Sequence, residues 1–349
     1  MILAADIGGT NARLGLFERD GPTLRSVTIR RYPSRGHASL EEIVERFLAE
    51  VGRPVEAACF AVAGPVSEGR VVLTNLGWTV DARRLARAAR LDAVRLINDL
   101  EGIAHGLDEL EDTDVVLLHP GAPGAQGNRA IIAAGTGLGE AGAYWDGRRH
   151  HPFACEGGHA DFGPRTHLEV DLVTSVLARH ARVSYERVLS GSGLYELYKF
   201  LRDSGHGEEP PWLSRELEHD PGPVVIVRVA LERRDALCLE AVDLFVSIYG
   251  AEASNLALKV MARGGVWIAR GIAPRILPRM KEPAFPESFP AKGRMRPLLE
   301  AMPVRLILND MVGLMGAARY ATQRRKGQAE EDPGDGPNDP RTGLNPLGP

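Results

Sequence analysis

The chain reads as an α/β protein of two lobes, with mixed sheets flanked by helices. Three observations predict this. Its 349 residues are enough for two separate cores. Strands and helices alternate through the first hundred residues, the order expected of sheets covered by helices. One pattern, a strand, a glycine turn and a second strand, occurs near the start and again at Arg129–Trp145, which points to an internal structural repeat.

The elements follow in order. Ile2–Ile7 and Ala12–Phe17 read as strands joined through Gly8-Gly9-Thr10-Asn11, and Val27–Tyr32 as a third strand. Leu40–Ala49 has apolar residues at 40, 43, 44, 47 and 48, the spacing of a helix. Ala57–Val62 is a buried-type strand that ends in Ala63-Gly64-Pro65, and Val71–Leu73 is a short extended piece. Asp81 is an N-cap for a helix over Ala82–Ala89. Val94–Ile97 is a strand that runs into Asn98-Asp99 at a helix start. Gly121–Asn128 is a Gly/Pro-rich loop expected to cross between lobes. The second strand pair, Arg129–Ala134 and Ala141–Trp145, encloses Gly135-Thr136-Gly137-Leu138-Gly139. A long helix over Asp235–Ala262, a buried strand over Val266–Ile268 and a helix starting at Pro274 come next. Val304–Leu308 is a strand and Gly313–Tyr320 a closing helix. The remainder is rich in Gly and Pro, and residues 323–349 are expected to be disordered.

Composition removes several function classes. The formal net charge of −4 gives no basic footprint for nucleic acid. No apolar run reaches the roughly 18 residues of a membrane span, and no charged segment followed by a long apolar one marks the N-terminus. Cys59, Cys155 and Cys238 lie far apart with no CxxC pair, so neither a zinc site nor a disulfide framework is expected. A cytoplasmic protein fits these features. His150-His151 on an extended segment would point to opposite faces, which argues against a shared metal.

The glycine turns carry the chemistry. After Gly8 there is no Gly-Lys-Ser/Thr triplet and no strand-to-helix context, so neither a Walker loop nor a dinucleotide fingerprint applies. Two readings of Gly8–Asn11 stay open: a plain hairpin turn, or a hairpin whose tip lies against phosphate, where glycines allow close backbone approach. Thr10 would add a hydroxyl, and Asp6 could hold water around Mg²⁺. The second turn, at Gly135–Gly139, favours the phosphate reading, since two such hairpins can close on one polyphosphate. A third cluster, Gly264-Gly265 with Gly271 after Val266-Trp267-Ile268, would give a nucleoside room.

DIGGTNARLGLF, AAGTGLG and GVWIARGIAPR resemble the two phosphate motifs and the adenosine motif of the actin-like ATPase fold. More closely, AVAGPV (61–66), LTNLGW (73–78), INDLEGIAHG (97–106), EGGHADF (156–162) and YERVLSGSGLYELY (185–198) resemble bacterial glucokinases of the hexokinase superfamily, the branch without a cysteine-rich zinc motif. The motifs keep the family order over roughly residues 1–322. The resemblance implies a two-lobed fold with the active site in the cleft between the lobes. The small lobe would be 1–109 plus 300–322, and the large lobe 110–299. It implies ATP-dependent phosphorylation of D-glucose to glucose 6-phosphate, with Asp99 as the base on the sugar 6-hydroxyl. Asn98, Glu156, His159, Glu186 and Gly64 would hold the sugar. Asp6, Gly8, Gly9, Thr10, Asn11, Gly135, Thr136, Gly137 and Gly271 would hold ATP, with Mg²⁺ on Asp6 through water. A homodimer is implied as well.

Each role has a plainer local reading. Asp99 fits an N-cap, Glu156–His159 a solvated turn, and Glu186 an exposed helix-end carboxylate. The sequence departs from the family pattern at two places. Arg270 stands where the adenosine turn usually has a glycine, and Leu308-Asn309-Asp310-Met311 replaces a His-Asp-Asn segment. Rival functions are a kinase for another hexose, a glucokinase using polyphosphate, and a sugar-sensing regulator without turnover. The regulator reading would want an added DNA-binding segment or a lost base, and neither is expected here.

Overall fold

A computed structural model describes residues 1–21, 23–73, 75–232 and 235–323. The expected tail, apart from Gln323, lies outside the described residues. In chain order the elements are β1 (Ile2–Ile7), β2 (Asn11–Asp20), β3 (Thr23–Pro33), α1 (Leu40–Val51), β4 (Ala57–Val62), β5 (Arg70–Leu73), β6 (Trp78–Asp81), α2 (Ala82–Ala89), β7 (Arg95–Asn98) and α3 (Asp99–Gly106). There follow β8 (Val115–His119), β9 (Arg129–Ala134), β10 (Leu138–Trp145), β11 (His150–Cys155), α4 (His167–Leu177), α5 (Tyr185–Val188), α6 (Gly191–Asp203), α7 (Pro211–His219), α8 (Gly222–Glu232) and α9 (Ala236–Val260). The chain ends with β12 (Gly265–Ile268), α10 (Leu277–Met280), α11 (Ala284–Ser288), α12 (Arg296–Glu300), β13 (Val304–Ile307) and α13 (Val312–Thr322).

Two sheets carry the fold. The first has the order β3-β2-β1-β4-β7, and the second β11-β10-β9-β12-β13-β8. β1 and β9 play the same part. Each pairs antiparallel with the next strand through a glycine turn, and parallel with a later strand on its other side. The repeat read in the sequence is therefore a repeat of sheet topology. β5 and β6 form a separate small ribbon; β6 carried no strand signal of its own beside the Asp81 cap.

β1 is buried along its whole length, as a central strand covered on both faces must be. Leu3, Ala5 and Ile7 face α1 and α2, packing with Ile43, Val44, Phe47 and Leu85. Ile2 and Ala4 face the other way, toward Leu314, Ala317 and Ala318 of α13. The period of two puts Asp6 on that second side. The second sheet is built alike. Ala130, Ile132 and Ala134 pack with α9, while Ile131, Ala133 and Trp267 pack with Leu100, Ile103 and Leu107 around α3.

α3 and α13 thus lie between the two sheets, and they cross each other closely through glycines. A Cβ at Gly316 would stand 1.8 Å from the Gly102 carbonyl oxygen, and one at Gly106 2.2 Å from that of Val312. The α2 cap is as expected: Asp81 accepts from the amides of Arg83 (2.8 Å) and Arg84 (3.2 Å).

Three expectations need correcting. The loop at residues 120–128 joins β8 to β9, two strands of the same sheet, so the passage between sheets runs through α3 instead. Of the segment 300–322, only α13 packs on the first sheet; β13 pairs with β12 and β8 in the second, because its apolar Val304, Leu306 and Ile307 complete that core. Finally, Pro274 lies within a run of turns over residues 271–276, and regular helix starts only at Leu277.

Candidate active site

The first glycine turn is held in shape by main-chain bonds. The Gly8 amide donates to the Asn11 carbonyl at 3.0 Å, and the Ser34 amide to the Thr10 carbonyl at 3.0 Å. Ser34 Oγ donates to the Gly8 carbonyl at 3.0 Å. Ser34 is fully buried and clamps both ends of the turn. It had no signal in the sequence. The Asn75 side chain borders Gly9, and the sequence showed it only as part of LTNLGW.

The second turn has a matching brace from a side chain. Glu186 Oε2 accepts from the Leu138 amide at 2.9 Å and lies against Gly137, where an added Cβ would stand 2.4 Å from it. Glu186 therefore sits at the rim of the second glycine turn. The Gly191 amide, opening α6, donates to the Gly135 carbonyl at 2.8 Å. Gly271 packs on the same strand end, at φ +67°, and a Cβ there would come within 1.9 Å of the Ala134 carbonyl oxygen. Only glycine fits that position.

Asp99 is the first residue of α3, and Asn98 is the cap. Asn98 Oδ1 accepts from the amides of Leu100 (2.9 Å) and Glu101 (3.3 Å). Its Nδ2 donates to the Gly64 carbonyl at 3.1 Å, and Gly64 itself has φ +104°. The cap reading thus belongs to Asn98, which frees the Asp99 carboxylate from that task. Burial pushes the Asp99 carboxyl up to about 6; the Asp6 charge adds to the shift, while the Arg270 guanidinium opposes it.

Asp6 is 4% exposed and faces Arg270, whose Nη2 stands 2.8 Å from its Oδ2. Asp6 Oδ1 is buried with no hydrogen-bond partner. A buried orphan carboxylate oxygen fits a water held on a divalent cation. The chemistry of the residues present is therefore compatible with Mg²⁺ at Asp6.

The Glu156–His159 loop leans on β10. Gly157–His159 form a single 3₁₀ turn, in which Gly158 lies against the Leu138 carbonyl and Gly157 against Glu140. The His159 carbonyl accepts from Arg182. The Glu156 and His159 side chains are exposed, and among the described residues no hydrogen bond joins them to the other predicted site residues. The fold thus gathers Asp6, Asp99 and Arg270 into one cluster, Gly135, Gly137, Gly271 and Glu186 into a second, and Asn98 with Gly64 into a third. His150 and His151 lie apart, on Gly127 and Asp146. A surface cavity of about 460 Å³, lined by Arg19, His105, Arg149 and Arg319 among others, contains none of the predicted site residues.

Comparison with known proteins follows from this geometry. A family model described as glucokinase matches residues 3–324. The chain is 42% identical over 339 residues to a glucokinase of Nostoc punctiforme, covering 93% of this chain and 99% of that one. Among solved structures it is similar to a glucokinase from an Antarctic psychrotroph, with TM-score 0.77 and 31% identity over 92% of this chain and 98% of the other. A glucokinase of Balamuthia mandrillaris in complex with glucose shares the fold at TM-score 0.72 and 20% identity, covering 92% of this chain and 93% of that one.

Proposed function

The chain belongs to the glucokinase family and has the actin-like ATPase fold, and from that premise we propose how its own residues phosphorylate glucose with ATP. The enzyme is a glucokinase, making glucose 6-phosphate. Its donor is ATP, held between the turns Gly8-Gly9-Thr10-Asn11 on one side and Gly135-Thr136-Gly137 on the other, with the Gly8 and Gly135 amides bracing those turns from within. Gly271 leaves room for the nucleoside. Asp6 would hold Mg²⁺ through water, and the ion would supply neutralisation of charge on the phosphates.

Phosphoryl transfer to an alcohol then needs a base on the hydroxyl. Asp99 takes the proton of the sugar 6-hydroxyl. Its elevated carboxyl remains mostly ionised at neutral pH, and that value brings it nearer the working pH than an exposed aspartate. Asn98 presents Asp99 by capping α3. Glu156 and His159 complete the sugar site from the loop on β10, and Glu186 links that site to the second phosphate turn. These hydroxyl partners are left unpaired by a wrong epimer, which is the physical source of sugar selectivity.

The single observation carrying this reading is that the Asp6 and Asp99 carboxylates lie close enough for their charges to interact, with Arg270 against Asp6. We further propose two units, 1–109 with about 308–323, and 110–307, that close over the substrates. A cytoplasmic homodimer is part of the same proposal. A coupled assay over a panel of hexoses and donors tests the reading. Glucose with ATP should give the highest kcat/KM; preference for another hexose, or for polyphosphate, would contradict it.

A further inference from the structure

Arg270 is the one residue in the phosphate cluster that the expected chemistry does not use. Its backbone sits at φ +51°, a left-handed conformation that is uncommon for a residue with a side chain. The strand before it, β12, belongs to the second sheet, whereas Asp6 belongs to the first. The Arg270–Asp6 pair therefore ties one sheet to the other at the place where a donor must enter. Gly313 makes room for the guanidinium: a Cβ there would stand 1.9 Å from Nη2 and 3.3 Å from Asp6 Oδ2. The Asp99 and Asp310 carboxylates also act on this cation. Arg270 Nε and Nη2 are buried without an aligned hydrogen bond, beside the orphan Asp6 Oδ1.

We propose that Arg270 is a resident counter-cation, set against Asp6, that a metal–nucleotide must displace before it can seat, so that this residue determines donor affinity and magnesium demand. The inference rests on the donor site placed above. Two cations crowding one buried carboxylate repel each other, so occupancy by one lowers occupancy by the other. The donor then binds only the fraction of molecules in which the guanidinium has left Asp6, and its apparent affinity falls by that fraction.

The test uses the full chain, with Arg270→Gly and, as a second neutral variant that tolerates the left-handed backbone, Arg270→Asn. Calorimetric titration with a non-hydrolysable ATP analogue is run at several Mg²⁺ concentrations. Thermal shifts are recorded with Mg²⁺ alone. If the ion pair holds about nine molecules in ten, both variants bind the magnesium–nucleotide about tenfold tighter and half-saturate at lower Mg²⁺. Mg²⁺ alone should also raise their Tm more than it raises the parent's. Unchanged affinity in both variants overturns the proposal, and weaker affinity overturns it by making Arg270 a phosphate ligand. A parent that binds no nucleotide at all instead removes the donor site on which the proposal stands.

Discussion

In the proposed mechanism the Asp99 carboxylate takes the sugar proton, and its environment would set the pH at which it works. Burial is the main cause of its rise to about 6. Only the ionised form accepts a proton, so kcat/KM should fall as pH drops through about 6, close to tenfold per unit below it. A pH–rate profile flat down to the ordinary aspartate range would contradict this. Asp99→Ala should bind glucose nearly as the parent does and lose at least about a thousandfold in turnover, toward the upper part of what a positioned base contributes. Near-normal turnover would remove the base role.

Glu140 shows the same physics without a reactive partner. It is buried beneath Gly157, and burial first, then the neighbouring Glu252 charge, pushes its carboxyl up to about 8. The folded state thus holds a proton that the unfolded chain releases at lower pH. Its contribution to stability is complete below the unfolded value and is lost as pH rises toward about 8. Glu140→Gln should therefore show a smaller fall in Tm between about pH 5 and 8 than the parent. An identical fall would contradict the assignment. The sequence did not reveal this pair, because Glu140 and Glu252 are 112 positions apart by subtraction of their numbers and only the sheet–helix contact joins them. Asp99 was singled out only by the resemblance of INDLEGIAHG, while the local cap rule pointed one residue too late, since the cap is Asn98.

Among the elements, those with strong local signals were legible. β1, β4, β9 and α2 have the limits expected from their apolar runs and cap. What could not be read was partnership. β13 and α13 are neighbours in the chain, yet they serve different sheets. Their separation depends on the packing of α13 against β1 and α3, which no local pattern encodes. That packing also yields a test. Gly316→Ala places a methyl against the Gly102 backbone, which cannot yield as a flexible side chain would. Overpacking of this kind costs about 1–3 kcal/mol, so the urea midpoint should fall accordingly. An unchanged midpoint would mean that the crossing of α3 and α13 is looser than described.

For the molecule as a whole, the two sheets repeat one topology, and each contributes a glycine turn. The repeat was visible in the sequence as two glycine-punctuated strand pairs. The cleft was expected only through the family resemblance, and its charge network was not legible, since it joins Asp6, Asp99 and Arg270 from distant parts of the chain. Substrates held from both sides should draw the units together and exclude water from the transfer. Scattering should show a smaller radius of gyration with glucose and a non-hydrolysable ATP analogue than with neither; an unchanged radius would contradict closure. The most direct measurement is phosphorus NMR of the protein with glucose, ATP and Mg²⁺. The account predicts that glucose 6-phosphate and ADP appear one for one. Inorganic phosphate without sugar phosphate, or a phosphate on another hydroxyl, would contradict it.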